Sequence, residues 1–518
     1  MTAFFILTLA LTINFNFLLK PIDSSKDYGT KALETSTVYT YTLIDDKTPA
    51  NNWEVAKAAG ICTGAGTSGN PYVIKGNTFE NNLMGPGHSL QIQNSRKYFK
   101  IDNCIFRKAD MSAAGLYLDN VTNGLIVDCL TSNNDWTGDT GIYMNNVNYT
   151  EIRNCQIYNN TADGIYMSDS HFNTITGNTI NFNGNNGIRI SQSDGCEISG
   201  NDITENVDDG IRVEQSAYTL IRSNTLNDNF FGIHLMSNSK FITITKNTAN
   251  NNQDDGIYLT GVDNNVVSEN TVKHNGDEGI WLTSCQDSVV HKNTAYNNTG
   301  NGIRINSANN ITCTGNIVYE NHENGIRLYS SSDCVVEDNN AHHNGWAGIR
   351  IRTGSTNNII KSNIGEYNNF SGIYVQSSSN NNILSDNTAN SNLEHGILIE
   401  SSDSNTIMDN TANKNALNGI HLFNSDGNAI ISNTAKNNKN GTFLENSNDN
   451  TILNNLFVGN DACYNETGST GNIFENNKCS APGGFNIDLN TILLILAFIE
   501  GAIIAVAIVL FLLKKRKP

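Results

Sequence analysis

The chain repeats itself at a period close to 23 residues, and that period decides what it can fold into. The signature Gly-(Ile/Leu)-x-apolar starts at Gly115, Gly141, Gly164, Gly187, Gly210, Gly232, Gly256, Gly279, Gly302, Gly325, Gly348, Gly372, Gly396 and Gly419, with a degenerate copy at Gly441-Thr442. The steps run from 22 to 26 residues and are mostly 23. A unit this short cannot bury an apolar face alone, so copies must stack, one repeat to one coil of a solenoid. In the copy at Gly164, Ile165 and Met167 alternate with Tyr166, then Ile175 and Ile180 flank Asn178. That is three short alternating runs with polar turns between them, hence three strands on three faces. No run has the length or spacing of a helix.

Stacked copies give columns. One reads Ile165, Ile188, Ile211, Ile233, Ile257 and on to Ile420; a second starts Ile175, Ile198, Ile221, Ile244, Val267. Between the second column and a third (Ile180, Ile203, Leu226, Ala249) runs Asn178, Asn201, Asn224, Asn247, Asn270, continuing to Asn433. Asn tolerates left-handed turns, and its amide can bond to its own equivalent one coil away. A leucine-rich horseshoe also admits a 23-residue period, but it calls for Leu-rich spacing, one strand and one Asn per repeat. Here Ile and Val dominate, and a second Asn column (Asn252, Asn275, Asn298, Asn321, Asn344) precedes the glycines. The expected fold is all-β: a single-stranded right-handed parallel β-helix with three strands per coil, followed by a C-terminal transmembrane helix.

The repeat, for instance Gly396-Ile397-Leu398-Ile399 through Asn405-Thr406-Ile407-Met408-Asp409-Asn410-Thr411, resembles those of right-handed β-helix proteins of the pectate-lyase-like superfamily. It is most similar to NosD-like, carbohydrate-binding and sugar-hydrolase repeats of prokaryotic surface proteins, over roughly residues 60–480. The resemblance implies the fold. It leaves activity open among lyases, hydrolases, epimerases, adhesins and copper-maturation factors.

The ends read differently from the middle. Residues 1–20 read as a signal peptide, with an uncleaved anchor as the alternative, and 21–50 as a linker. Residues 51–110 form an N-terminal cap, with a short helix at Trp53–Ala59, and the first coils; 111–480 form the parallel β-helix. A stalk at 481–491 leads to 492–513, apolar apart from Glu500 and long enough to cross a bilayer. The basic tail at 514–518 would stay in the cytoplasm, leaving the β-helix extracellular on a single-pass cell-membrane protein. A net charge of −18 argues against nucleic acid as a partner.

Cys104, Cys129 and Cys155 align with the later Asn column; they fill a small buried turn position, oxidise between coils, or bind a soft metal. Cys463 and Cys479 flank the last irregular turns and are the disulfide candidates.

Chemistry is expected on the outward side of the first strand. The second residue after each glycine reads Tyr117, Tyr143, Tyr166, Arg189, Arg212, His234, Tyr258, Trp281, Arg304, Arg327, Arg350, Tyr374, Leu398 and His421. Rings suit the C–H faces of sugars and guanidinium groups suit hydroxyls. The substrate-binding candidates are therefore Tyr166, Arg189, Arg212, Tyr258, Trp281, Arg304, Arg327 and Arg350. Asp208, Asp209, Asp254, Asp255, Glu278 and Arg212 are the candidate catalytic group. Such carboxylates serve a glycosidase, or hold Ca²⁺ for a lyase; equally, acids before a glycine are ordinary turn residues. Gly232-Ile233-His234 departs from the Gly-His-Gly of polygalacturonases, and no Arg-x-Lys follows it. No metal site is assigned and no cofactor beyond that Ca²⁺. The expected function is binding of cell-envelope or environmental polysaccharide. Cleavage of one, a purely adhesive rod and a NosD-like metal-maturation role are the alternatives.

Overall fold

After each repeat glycine the chain makes a four-residue strand whose first and third side chains turn inward. The computed structural model describes residues 37–81 and 87–480. It divides into two compact units, Met1–Thr271 and Val272–Pro518. In the first unit, Ile165–Ser168, Ile188–Ser191, Ile211–Glu214, Ile233–Met236 and Ile257–Thr260 pair in parallel, each with the next coil. Like meets like: Ile165, Ile188, Ile211, Ile233 and Ile257 stand in register and are fully buried. Each contributes about 2 kcal/mol of hydrophobic stabilisation. A second parallel sheet carries Ile175, Ile198, Ile221 and Ile244, and a third Ile180, Ile203 and Leu226. The second unit repeats the plan, with Ile280, Ile303, Ile326, Ile349, Ile373, Ile397 and Ile420 buried.

The asparagines turn the corners. Asn201 Oδ1 accepts from both the backbone N–H and the Nδ2 of Asn178, each at 2.9 Å. Its own Nδ2 donates to Ile175 O (3.0 Å) and to Asn224 Oδ1 (2.9 Å). Every polar valence of the buried amide is filled by the coils on either side. The second Asn column does the same through Asn183, Asn206 and Asn229. Cys155 occupies the Asn position one coil earlier, its N–H donating to Asn178 Oδ1 at 2.9 Å. The repeat glycine answers a close approach: a Cβ at Gly187 would lie 2.4 Å from Ile203 Cγ2 and 2.7 Å from Gly210 O.

Two expectations change. Residues 37–45, read as linker, form the strands Thr37–Thr40 and Thr42–Asp45, which pair with Asn77–Glu80 and Leu90–Gln93. The helix Trp53–Ala58 is present, with Asn52 Oδ1 capping Val55 N–H at 3.1 Å and buried Trp53 stacked on Tyr72. The fold class is corrected to an all-β parallel solenoid, and the transmembrane helix expected with it has no support among the described residues. Among the described residues no helix is long and apolar enough to cross a membrane. The segment expected to do so, 492–513, lies outside the described residues, as do the signal peptide, the stalk and the basic tail.

Replacing Asn224 by Ala removes the acceptor of Asn201 N–H and of one Nδ2 N–H, and strands both in the interior while Nδ2 keeps its bond to Ile175 O. We expect a loss of about 3 kcal/mol or more, read as a lower urea midpoint and faster amide exchange around Asn201.

Candidate functional site

Parallel register puts the second residue after each glycine into one outward column, so each side chain meets its counterparts in the adjoining coils. In Met1–Thr271 that column is Tyr117, Tyr143, Tyr166, Arg189, Arg212, His234 and Tyr258. Tyr143 stacks on Tyr166 at 4.8 Å, the Arg189 guanidinium lies 5.0 Å from the Tyr166 ring, and His234 stacks on Tyr258 at 4.9 Å. The ring faces are thus largely spent on one another. What the column offers outward is ring edges, phenol hydroxyls and guanidinium N–H groups.

Beside it runs the turn that ends two residues before each glycine, and here the acids gather. Arg212 Nη1 lies 3.7 Å from Asp208 and 3.9 Å from Asp209, and its Nε donates to Glu214. Arg189 reaches the same Glu214 at 3.3 Å. Asp209 is 1% exposed, and its Oδ2 lies 3.0 Å from Nδ1 of buried His234. Asp209 Oδ1 and His234 Nε2 are buried with no hydrogen-bond partner among the described residues. Burial, then the charge of Asp209, pushes the Asp208 carboxyl above the usual carboxylate range, against the pull of Arg212. Four groups named from sequence or lying in its outward column (Asp208, Asp209, Arg212, His234) therefore come together. Asp255 is buried in the last turn of this unit, and half-buried Asp254 donates its N–H to Phe230 O at 3.0 Å.

In Val272–Pro518 the corresponding column is Trp281, Arg304, Arg327, Arg350 and Tyr374. Trp281 is half-buried rather than free, because the Arg304 guanidinium sits 4.7 Å from its ring. Arg304 donates to buried Glu278 at 2.8 Å, and Glu278 accepts the Asn301 N–H at 2.9 Å. Arg327 pairs with Glu323 at 3.4 Å. Arg350 makes no hydrogen bond or ion pair among the described residues. It lies 4.6 Å from the Trp346 ring and 5.2 Å from the Tyr374 ring. Burial, then neighbouring Arg352, lowers the Arg350 pKa to about 10, and burial, then Arg304, lowers that of Arg327. Tyr374 and Leu398, expected to face outward, are buried against Ala347 and Phe370.

Trp346 escaped the sequence reading. It sits in the turn column, two residues before Gly348, and is 43% exposed with Phe370 stacked on it at 5.1 Å. Its signal was available: Trp346 and Phe370 replace the acids found at that position in Asp208 and Glu323. Cys463 and Cys479, the disulfide candidates, lie side by side with no bond drawn between them; burial, then the hydrogen bond with Cys463, pushes the Cys479 thiol up to about 12.

The sequence model described as right handed beta helix region matches residues 186–341 and 324–479, more than half of the chain. The chain belongs to the right-handed β-helix family. A second model, periplasmic copper-binding protein (NosD), matches residues 69–254. No curated protein matches the chain. Among solved structures, the A-module of the Azotobacter vinelandii mannuronan C-5 epimerase AlgE6 is similar at 15% identity and TM-score 0.36, over 76% of this β-helix chain and 92% of that one. The pectate lyase Pel9A is similar at 16% identity and TM-score 0.32, over 54% and 80%.

Copper asks for thiolate, thioether or imidazole donors that converge on one point. In 69–254, Cys104, Cys129, Cys155, Cys196, Met144 and Met167 are all buried. Burial pushes the Cys196 thiol up to about 11 and Cys129 well above its usual value. His88 Nδ1 accepts the Ala114 N–H, and burial lowers its pKa to about 4. Among the described residues of this segment, no three His, Cys, Asp or Glu side chains bring ligand atoms together. These residues do not fit a copper centre.

Asp163 is buried, its carboxyl held above the usual range by burial, and its Oδ1 accepts both N–H and Nδ2 of Asn186 at 3.1 and 2.7 Å. A raised folded-state pKa means stability is lost as pH rises through it. Asp163→Asn keeps the acceptor and removes the charge. It should leave Tm unchanged in acid and raise stability by about 1 kcal/mol at neutral pH, checked by melting curves across pH.

Proposed function

We propose that this β-helix binds carbohydrate along the outward wall of its first strands. Each unit has its own stretch of such a wall: Tyr166, Arg189, Arg212 and Tyr258 in the first, and Trp281, Arg304, Arg327 and Arg350 in the second. The observation that carries the reading is Arg350. It is a half-buried cation without a carboxylate partner among the described residues, flanked by aromatic rings, beside a Trp346 ring that is 43% exposed. The Arg350 Nε is buried, but a guanidinium whose remaining N–H groups make no local bond suits hydroxyls or the carboxylate of an acidic sugar, and Trp346 supplies an apolar platform next to it. In a chain of net charge −18 such a spot is set apart from its surroundings. Affinity electrophoresis against a panel of neutral and acidic polysaccharides tests the reading. Trp346→Ala combined with Arg350→Gln should weaken retention at least about tenfold, or 1.4 kcal/mol; unaltered retention would rule the wall out.

A second reading, cleavage of the polymer, is favoured by one arrangement. Asp208, held protonated to higher pH than an ordinary carboxyl, stands beside the Asp209–His234 pair. A carboxyl that keeps its proton can act as a general acid, while a His oriented by a buried Asp can take a proton. Release of reducing ends or unsaturated uronates, lost in Asp208→Asn and Asp209→Asn, would establish this activity. No release from any polymer of the panel would dismiss it.

A further inference from the structure

A different corner of the first unit bears four large aromatic residues where the backbone least favours them. The turn after the first strand carries a residue of positive φ eight or nine positions past each repeat glycine. In Val272–Pro518 those residues are Asp287, Asn310, Asp333, Asn357, Asn381, Ser404 and Asp449, with glycine at Gly427 and Gly471. These are the types that accept the left-handed region. In Met1–Thr271 Asn123 and Asn264 hold the same position at either end of a stretch in which, Gly195 apart, it is filled by Tyr149, Phe172, Tyr218 and Phe241, with φ of 52°, 56°, 56° and 56°. Bulky side chains are outliers there, and such strain persists where something else requires it.

The aromatics do not repay the strain by burial. Tyr149 is 63% exposed, Phe172 55%, Tyr218 66% and Phe241 41%. They stand as two stacked pairs, Tyr149 with Phe172 at 5.4 Å and Tyr218 with Phe241 at 5.1 Å, the rings nearly parallel in each case. The coil between the pairs has Gly195, over which the Phe172 ring lies; a Cβ there would come within 2.6 Å of Phe172 Cδ1. Alongside is a polar depression lined by Asp194, Gln215, Ala217, Asn238 and Lys240. Lys240 Nζ also lies 5.8 Å from the Phe241 ring. The stripe thus joins exposed ring surface to a floor with one carboxylate, one ammonium and side-chain amides.

We propose that this stripe is a second carbohydrate-binding surface, distinct from the wall, and that it takes neutral sugars. The occupant follows from the chemistry. A pyranose has an apolar face for the rings and a rim of hydroxyls for Asp194, Gln215, Asn238 and Lys240. The near balance of charge in the depression gives an acidic polymer no advantage. A protein partner would be expected to cover the four rings with a continuous apolar patch, whereas here Gly195 and the polar floor interrupt them. The proposal does not rest on the wall, which uses other residues.

The test uses the full chain, with laminarin, xylan and dextran as neutral probes and polygalacturonate as the acidic one, in affinity electrophoresis. The variant Tyr218→Asn/Phe241→Asn installs a residue type used at this position elsewhere in the chain. It should lose at least tenfold in retention by a neutral polymer, while keeping its melting transition and its behaviour toward polygalacturonate. Tyr218→Phe/Phe241→Tyr should retain binding, and Arg327→Gln/Arg350→Gln, which alters only the wall, should leave the neutral polymer bound. Retention unchanged in the Asn variant, or no neutral polymer bound by the parent chain, would overturn the proposal. So would a variant that no longer melts cooperatively, since the rings would then belong to the fold. Loss of polygalacturonate in the arginine variant alone would bear on the wall and not on this stripe.

Discussion

Everything in this fold depends on a buried side-chain amide that can be satisfied only by a copy of itself. An isolated asparagine in an apolar interior leaves donors and an acceptor unfilled, which is costly. In the column Asn178, Asn201, Asn224, Asn247, each amide supplies what its neighbour lacks and also closes a turn by accepting a backbone N–H. The interaction is therefore both the corner of each coil and the register between coils. A slip by one residue would put Thr179, Asp202 or Thr225 where Asn178, Asn201 or Asn224 belongs and leave buried amides unpaired. The isoleucine columns supply most of the burial energy and would be turned outward by such a slip; the asparagines add bonds that only one register can make.

Strict register has a consequence for the outside. Whatever residue type recurs at one position must stack on itself, and like charges opposite one another are unfavourable. The chain handles this in two ways. In the first unit Arg189 and Arg212 share Glu214, and Arg212 also draws on Asp208 and Asp209. In the second, Arg304 takes Glu278 and Arg327 takes Glu323, but by Arg350 the turn column has changed from acid to Trp346. The cation is then stabilised by ring faces rather than by a carboxylate, which leaves its donors unused. A wall built only for stability would have kept the acid.

Much of this was legible in the chain. The period, the three strand faces, the inward columns and the Asn ladder follow from spacing alone, because a stacked coil translates sequence period directly into height. Relations across a turn were not legible. Trp346 lies two residues before a glycine and Arg350 two after it; only the turn's shape brings them to 4.6 Å. Alternation marks Trp281, Tyr374 and Leu398 as outward. It does not say that Arg304 will cover the first or that Phe370 and Ala347 will enclose the others. The strands at 37–45 were missed because a single edge coil, with its partners at Asn77–Glu80 and Leu90–Gln93, has no period to betray it.

The same translation of period into height makes departures informative. When one position in every coil faces the same backbone constraint, the residue types it accepts are sampled over and over within one chain. At the positive-φ corner the sampling returns Asn, Asp, Ser and Gly. Tyr149, Phe172, Tyr218 and Phe241 depart from that set together, in neighbouring coils, with their rings paired and exposed. Random drift would scatter such exceptions along the solenoid and would not align Gly195 under the ring of Phe172. An internal repeat thus acts as its own control, and a strained position that breaks ranks in four of five successive coils points to a demand made by something outside the fold.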